Sequence, residues 1–273
     1  MSSPSNPSAD PSKPPASKSK RLALGCGLSI VLAIALLFGL LKLFDKPQPE
    51  GAVPGPGADA MAERMMAAAD VDAWARTGAV TWDFSGRQQH LWDRHRDYIR
   101  VRFKDQEVLL DLATRQGVAT LGGQTLGAED AAPLLEKAWA YWCNDSFWLN
   151  PVAKLFDDGT SRGLAATPDG DEGLLVTYGA GGVTPGDSYL WSVDADGLPQ
   201  TWWMWTQILP VGGVKASWDD WITLDTGARV ATRHKIGVLT LELTDVRGAA
   251  TLGELTGGED PFAPLESWLS RNP

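Results

Sequence analysis

Cysteine and histidine are scarce in this 273-residue sequence, which has two cysteines and three histidines. Cys26 lies in a long apolar run and Cys143 is alone in the remainder, so we expect no intrachain disulfide and a small, buried, unreactive Cys143. The sequence also lacks a glycine-rich phosphate loop, a nucleophile elbow and a metal-spaced Cys/His set. These absences predict a protein that is not an enzyme and that has no catalytic residue, cofactor or metal site. Carboxylates that meet only in space stay an open alternative.

The three histidines are predicted to be exposed. His90 and His95 are five residues apart on or near a strand, so their side chains point to opposite faces and cannot share a metal ion. His234 lies between Arg233 and Lys235, a charged context that is typical of a surface strand.

Charge divides the chain into two parts. Residues 1–46 contain six Lys/Arg and two Asp, a net of +4, which leaves −14 for the rest of a chain whose net charge is −10. A strongly acidic domain repels nucleic acid and anionic lipid head groups, so neither is an expected partner.

An uncharged run of 20 residues, 22–41, is long enough to cross a bilayer as a helix. A cleaved signal peptide would have a shorter apolar region that ends in small residues, and a lipoprotein signal would place its apolar region before Cys26. Four basic residues precede the run and two follow it, so the positive-inside rule predicts a cytoplasmic N-terminus. We therefore expect a single-pass protein of the bacterial inner membrane whose C-terminal part is periplasmic.

Four segments follow from these patterns. Residues 1–20 form a disordered cytoplasmic tail, residues 21–44 contain the transmembrane helix, and residues 45–57 form a Pro/Gly linker. Residues 58–273 form the extracytoplasmic domain.

The extracytoplasmic domain is predicted to be mainly antiparallel sheet with two or three helices. Helical spacing covers residues 58–76, with Gly78 as the stop, and about 130–143, ended by Asn144, and a short helix closes the chain. Between them the apolar period changes to two, which is typical of strands. The predicted strands lie in AVTWDFSG, QQHLWDRH, DYIRVRFK, QEVLLDLA, QGVATL, SFWLN, GLLVTYG, DSYLWSV, LPQTWWMWT, SWDDWITLD, RVATRHKI and VLTLELTDV.

The stretch YLWSVDADGLPQTWWMWTQ, residues 189–207, is apolar on both faces of a predicted hairpin. Residues 194–197 are expected to form a turn with Gly197 at positive φ, since a calcium loop would need further acidic ligands that are missing. The turn sets Val193 opposite Leu198. Alternation then places one set of residues on one face: Tyr189, Trp191, Val193, Leu198, Trp202 and Met204. A sheet that is covered by helices on one side and curved around an apolar hollow on the other would satisfy both faces.

A resemblance to a known family rests on the order helix, meander, helix, meander and on three segments. The segments are HLWDRHRDYIRVRF, NDSFWLNPVAKLFDDG and GDSYLWSVDADGLPQTWWMW. Residues 58–265 resemble uncharacterised bacterial envelope proteins with the half-barrel fold of the lipoprotein localisation factors LolA and LolB. The resemblance implies an α+β fold, an incomplete antiparallel half-barrel with covering helices that holds acyl chains in an aromatic-lined cavity without catalytic residues. Those relatives are soluble or lipid-anchored, whereas a membrane helix is expected here.

Thirteen tryptophans, twelve of them between Trp74 and Trp221, are consistent with two hypotheses. In the first, an aromatic hollow binds a lipid or a lipoprotein acyl chain. In the second, the tryptophans fill a core and the domain is an envelope scaffold that binds another protein. The residues predicted to line the hollow are Tyr189, Trp191, Trp202, Met204, Trp139 and Trp142.

Overall fold

The computed structural model describes residues 45–272, within a compact unit that spans Lys46–Pro273. The predicted tail (1–20) and transmembrane helix (21–44) lie outside the described residues. Among the helices of the described part, none has the length and hydropathy to cross a bilayer.

The described residues form an α+β domain with five α-helices and two antiparallel sheets. The helices are α1 Pro56–Ala68, α2 Val71–Arg76, α3 Ala128–Leu149, α4 Leu252–Thr256 and α5 Ala263–Leu269, with a 3₁₀ helix at Pro151–Lys154. The first six strands are β1 Ala79–Phe84, β2 Gln88–Asp93, β3 Tyr98–Phe103, β4 Gln106–Asp111, β5 Gly117–Leu121 and β6 Gln124–Thr125. The others are β7 Thr160–Ala166, β8 Glu172–Tyr178, β9 Asp187–Val193, β10 Pro199–Trp205, β11 Val214–Ser217, β12 Asp219–Thr223, β13 Arg229–Ile236 and β14 Leu239–Ala249.

Nine strands form the first sheet in the order β12-β13-β14-β1-β2-β3-β4-β5-β6, and five form the second in the order β11-β10-β9-β8-β7. Trp218 alone separates β11 from β12, and the backbone N–H of Lys235 on β13 donates to Ser217 Oγ on β11 over 2.9 Å. The sheets therefore continue into one another as a large curved antiparallel surface. Because the end strands β6 and β7 do not pair, the strands described here form no closed barrel.

The meander β1–β5 agrees with its predicted pattern. Ile99 pairs with Leu110 and Val101 with Val108, and all four side chains are buried on one face. That face packs on α3 through Ala131 and Ala138. These residues form what we call the meander core: Ile99, Val101, Phe103, Val108, Leu110, Ala119, Ala131 and Ala138.

Two helix predictions need correction. The helix expected over residues 58–76 is divided between α1 and α2, because Asp70 adopts left-handed backbone (φ 48°) and caps α2 by accepting from the N–H of Ala73. Helix α3 does not end at Asn144, which has no positive φ, but continues to Leu149. The SFWLN segment is thus mostly helix rather than strand, because Ser146, Trp148 and Leu149 are buried on the packed side of α3.

Residues 46–55, which we call the strap, lie within the segment predicted as a linker but are bonded to the domain. Lys46 N–H donates to the carbonyl of Gly212 (3.1 Å), and Val53 exchanges two backbone hydrogen bonds of 2.9 Å with Leu164 on β7. The Trp205 indole donates to the Lys46 carbonyl over 2.8 Å. The strap therefore lies along the second sheet instead of standing free of it.

Candidate functional site

The β9–β10 hairpin has two buried faces, as its sequence predicts. Asp194 Oδ1 accepts from the N–H groups of Asp196 and Leu198, and Gly197 adopts φ 90°, so residues 194–197 form the expected turn. The register differs from the prediction by one residue at the turn, where Val193 lies opposite Pro199 instead of Leu198, and an irregularity between Pro199 and Thr201 makes the difference two residues from there on, so that Trp202 lies opposite Trp191. Because the shift is two beyond the irregularity, Tyr189, Trp191, Trp202 and Met204 stay on one face as predicted.

The outer face of this hairpin is covered by other parts of the chain. Leu190 and Trp203 are buried there with Leu175 of β8. Ala52 of the strap and Trp205 pack against them. The strap thus accounts for the apolar side chains on the outer face without a ligand.

The inner face forms an interconnected aromatic group, which we call the indole cluster: Trp148, Tyr189, Trp191, Trp202, Trp218 and His234. The ring centroids of Trp191, Trp202 and Trp218 are 4.8, 5.1 and 4.9 Å apart in pairs, an almost equilateral triangle. Trp148 at the end of α3 lies 4.8 Å from Trp202. Contacts at these spacings stabilise aromatic pairs.

Several polar atoms in the indole cluster are buried without a hydrogen-bond partner. They include the indole N–H groups of Trp191, Trp202 and Trp218 and the Nε2 atom of His234. Buried polar groups are normally paired, and an indole N–H can only donate. The cluster therefore presents three free donors inside an otherwise apolar environment.

His234 is fully buried, so its predicted exposure is wrong. The β13 strand turns its side chain inward between the outward Arg233 and Lys235, and its ring lies 4.4 Å from that of Trp218. Burial lowers the pKa of His234 to about 4. The hydrogen bond that Nδ1 donates to the Ser217 carbonyl (3.0 Å) raises the pKa, but by less than burial lowers it. Since Nδ1 carries the proton, Nε2 of the neutral ring is an unpartnered acceptor.

The six residues predicted to line a hollow do not all lie together. Four of them lie in the buried apolar core that surrounds the indole cluster, and each is at most 8% exposed: Tyr189, Trp191, Trp202 and Met204. Trp142 packs on both this core and the meander core, as a T-shaped partner of Trp92. Trp139 contacts only the meander core and is covered by the Arg115 guanidinium at 3.7 Å.

A second buried polar group links α3 to the sheet. His90 Nε2 donates to Asp145 Oδ2 over 2.7 Å, and the Trp82 ring stacks on His90 at 4.5 Å. Both partners are almost fully buried, so His90 is not the solvated edge histidine that was predicted. Recognising that α3 continues past Asn144 would have placed Asp145 on the inward helix face with Trp142 and Leu149.

No metal centre is evident in the part of the chain that the structure describes. No three His, Cys, Asp or Glu side chains within residues 45–272 are grouped so that they could bind a metal ion. Burial raises the pKa of the Cys143 thiol to about 11, which keeps it protonated and a poor nucleophile at neutral pH.

Comparison with solved structures gives a distant likeness. No family model and no curated protein matches the chain. Among solved structures, a DUF1329 family protein from Desulfovibrio piger is similar over 75% of this chain and 96% of its own, with 12% sequence identity and a TM-score of 0.38. At these values nothing about the fold or function of this chain follows from the likeness, and the resemblance to LolA and LolB stays a prediction.

Proposed function

We propose that this chain is a non-enzymatic protein, anchored in the bacterial inner membrane by residues 22–41, whose periplasmic domain binds a lipid or lipoprotein acyl chain at the indole cluster. In this proposal the curved sheet serves as an incomplete half-barrel and the helices α1 to α3 as its cover. The N-terminus is cytoplasmic.

The unpartnered indole N–H groups carry the proposal. A core that served packing alone would be filled at lower cost by leucine or phenylalanine, which bring no polar atom to bury. Trp191, Trp202 and Trp218 instead supply three donors for which the described chain provides no acceptor. The ester or amide carbonyls at the head of an acyl chain are acceptors, and the rings offer an apolar surface for the chain itself.

Space for the chain would come from displacement of α1, whose buried side chains belong to the same apolar core as the indole cluster. Its buried residues are Ala58, Met61, Ala62 and Met65, small or flexible side chains that adapt to altered packing. The recorded side-chain ion pair of α1 joins Asp59 to Arg162 of β7 over 2.8 Å, near the surface. Movement of α1 would break this ion pair and, if its last residues also move, the hydrogen bonds from Arg229 to the carbonyls of Ala68 and Ala69.

The complete burial of Trp191 and Trp202 favours a second candidate, an envelope scaffold with a filled core that binds another protein. Here the aromatic rings stabilise the domain and the binding surface lies elsewhere. The two candidates differ in whether the interior accepts a ligand.

Ligand binding is tested with the purified full chain, by mass spectrometry of its organic extract and by titration with a fluorescent fatty acid. The proposal expects extractable lipid and saturable binding that Trp202→Phe weakens, since this change removes one donor but keeps an aromatic ring. Trp203→Phe, on the opposite face of the same hairpin, should bind as the wild type does. Absence of both extractable lipid and saturable binding would refute the lipid-binding proposal and favour the envelope scaffold.

Topology is tested separately, by fusing a reporter that is active only outside the cytoplasm after Pro273. The basic residues before the apolar run predict an active C-terminal fusion and an inactive N-terminal one. The reverse pattern would refute the proposed orientation.

A further inference from the structure

A surface cleft of about 400 Å³ lies next to the indole cluster, and Trp218 belongs to both. Its charged lining comes from β12 and β13: Asp219, Asp220, Arg233 and Lys235. The cleft therefore connects a charged surface with the aromatic interior through one side chain.

The four charges in this cleft pair only loosely. Lys235 Nζ lies 3.9 Å from Asp219 Oδ2, and Arg233 Nη1 lies 3.9 Å from Asp220 Oδ2. These separations exceed hydrogen-bond distance, and each of the four side chains is at least 38% exposed. Two carboxylates and two cations thus retain the capacity to bind groups of opposite charge.

Two donor atoms of residues that line the cleft are buried and have no acceptor within residues 45–272. They are Nε of Arg233 and Nε1 of Trp218. Both groups can only donate a hydrogen bond, so a partner must supply an acceptor. A phosphate or carbonyl oxygen is such an acceptor.

The strand that supplies Arg233 and Lys235 ends in an apolar hairpin tip. Val238 at this tip is fully exposed and Leu239 is 69% exposed. Exposed apolar side chains directly beyond this charged cleft are suited to contact with the acyl region of a lipid surface.

We propose that this cleft binds the head group of a zwitterionic phospholipid whose acyl chain enters the indole cluster past Trp218. The phosphate oxygens accept from Arg233 and Lys235, and the ammonium donates to Asp219 and Asp220. A purely anionic head group would leave both carboxylates facing negative charge. This inference rests on the proposed function, because it names the ligand class and the entrance of the same site.

The test uses the full chain in a non-ionic detergent and four probes. Dihexanoyl phosphatidylethanolamine is the zwitterionic lipid and dihexanoyl phosphatidylglycerol its anionic match. Glycerophosphoethanolamine supplies the head group alone, and the fluorescent fatty acid is used as its uncharged methyl ester, which supplies the chain alone. Affinities are measured by isothermal titration calorimetry or by quenching of tryptophan fluorescence.

We expect the phosphatidylethanolamine to bind at least tenfold more tightly than the phosphatidylglycerol or the head group alone. Arg233→Gln should weaken it about tenfold, which corresponds to about 1.4 kcal/mol. The same substitution should leave binding of the fatty acid unchanged. Arg247→Gln is the matched control, since Arg247 is an exposed strand residue that forms no recorded ion pair within residues 45–272.

The outcomes separate this inference from the proposed function. Fatty acid binding together with equal affinity for the two phospholipids, or with no effect of Arg233→Gln, overturns the head-group site and leaves the proposed function intact. Failure of the fatty acid and both lipids to bind overturns both. Binding of glycerophosphoethanolamine as tight as that of the lipid would show a head-group site that is independent of the acyl chain, and would overturn the proposed entrance.

Discussion

The indole cluster and the meander core are two buried regions of one domain that are built on different chemistry. The meander core is mainly aliphatic, and its residues alternate with charged ones such as Arg100 and Arg102 along β3. The indole cluster combines five aromatic side chains with a buried histidine, and three of its indole N–H groups lack partners. An aliphatic core needs only burial, whereas an aromatic core also brings polar atoms that require an acceptor. The difference is one of degree, because the indole N–H groups of Trp92 and Trp142, which pack against the meander core, also lack a partner within residues 45–272.

Truncation of Trp202 to alanine should have the largest effect. The ring is fully buried against Trp148, Tyr189, Trp191 and Trp218, so its loss should lower the free energy of unfolding by about 3–5 kcal/mol. Leu110→Ala in the meander core should cost a similar amount, about 2–5 kcal/mol. Chemical denaturation with and without a fatty acid checks the contrast, because a ligand that binds the folded state should stabilise the Leu110 variant, whose indole cluster is intact, and should stabilise the Trp202 variant less. Equal rescue of both variants would contradict the distinction between the regions.

Removal of the Asp145 carboxyl should cost about 1–3 kcal/mol, because His90 would be left buried without its partner. Asp145→Ala is compared with Glu136→Ala, an exposed position on the same helix that should change stability by less than about 0.5 kcal/mol. Thermal unfolding of both variants provides the measurement. If the two variants melt alike, the pair is not a structural link between α3 and the sheet.

Acid should destabilise the indole cluster through His234. Its folded pKa of about 4 lies below the ordinary value of 6.5, so the unfolded chain binds more protons between these values. Stability is therefore complete above about pH 6.5 and falls as the pH drops toward 4, by about 1 kcal/mol between pH 6.5 and 5.5. His234→Gln should flatten this part of the profile of unfolding free energy against pH, whereas the exposed His95→Gln should not. A variant at position 234 with the wild-type slope would exclude this histidine as the cause.

The smallest effect is expected outside the two cores, at the strap. Trp205→Phe removes the hydrogen bond to the Lys46 carbonyl and should cost about 0.5–1 kcal/mol. Amide exchange of residues 46–53 should accelerate in this variant, while exchange within the meander core stays unchanged. Lys46→Ala keeps the carbonyl and serves as the control, and unchanged exchange in Trp205→Phe would show that the strap is held by its backbone bonds alone.

Most of the fold followed from local patterns, because period-two alternation and turn residues act over a few positions. The strand RVATRHKI coincides with β13, and the alternating faces of β9 and β10 were recovered although their register was not. The errors arose where tertiary packing overrode a local signal. Asn144 ends no helix, because the rest of α3 gains burial by continuing to Leu149.

The candidate site was only partly accessible to prediction. Three of the six proposed residues, Tyr189, Trp191 and Trp202, belong to the indole cluster, since they alternate on one hairpin, and Met204 of the same hairpin packs in the surrounding apolar core. Trp139 does not join them, and the cluster includes Trp148, Trp218 and His234 from other parts of the chain. The charged neighbours Arg233 and Lys235 hid a usable signal, because period-two alternation along β13 places His234 on the same face as Val230 and Ile236.

The sequence by itself determined the strand pattern, the acidic charge of the domain and the apolar character of both hairpin faces, since each depends on composition or on spacing along the chain. The tertiary structure decided which of those faces meets other aromatic residues, where His90 and His234 are buried, and that the strap lies on the sheet. These features depend on contacts between residues far apart in sequence, whose free energy is set by the packing of the whole domain rather than by local propensity.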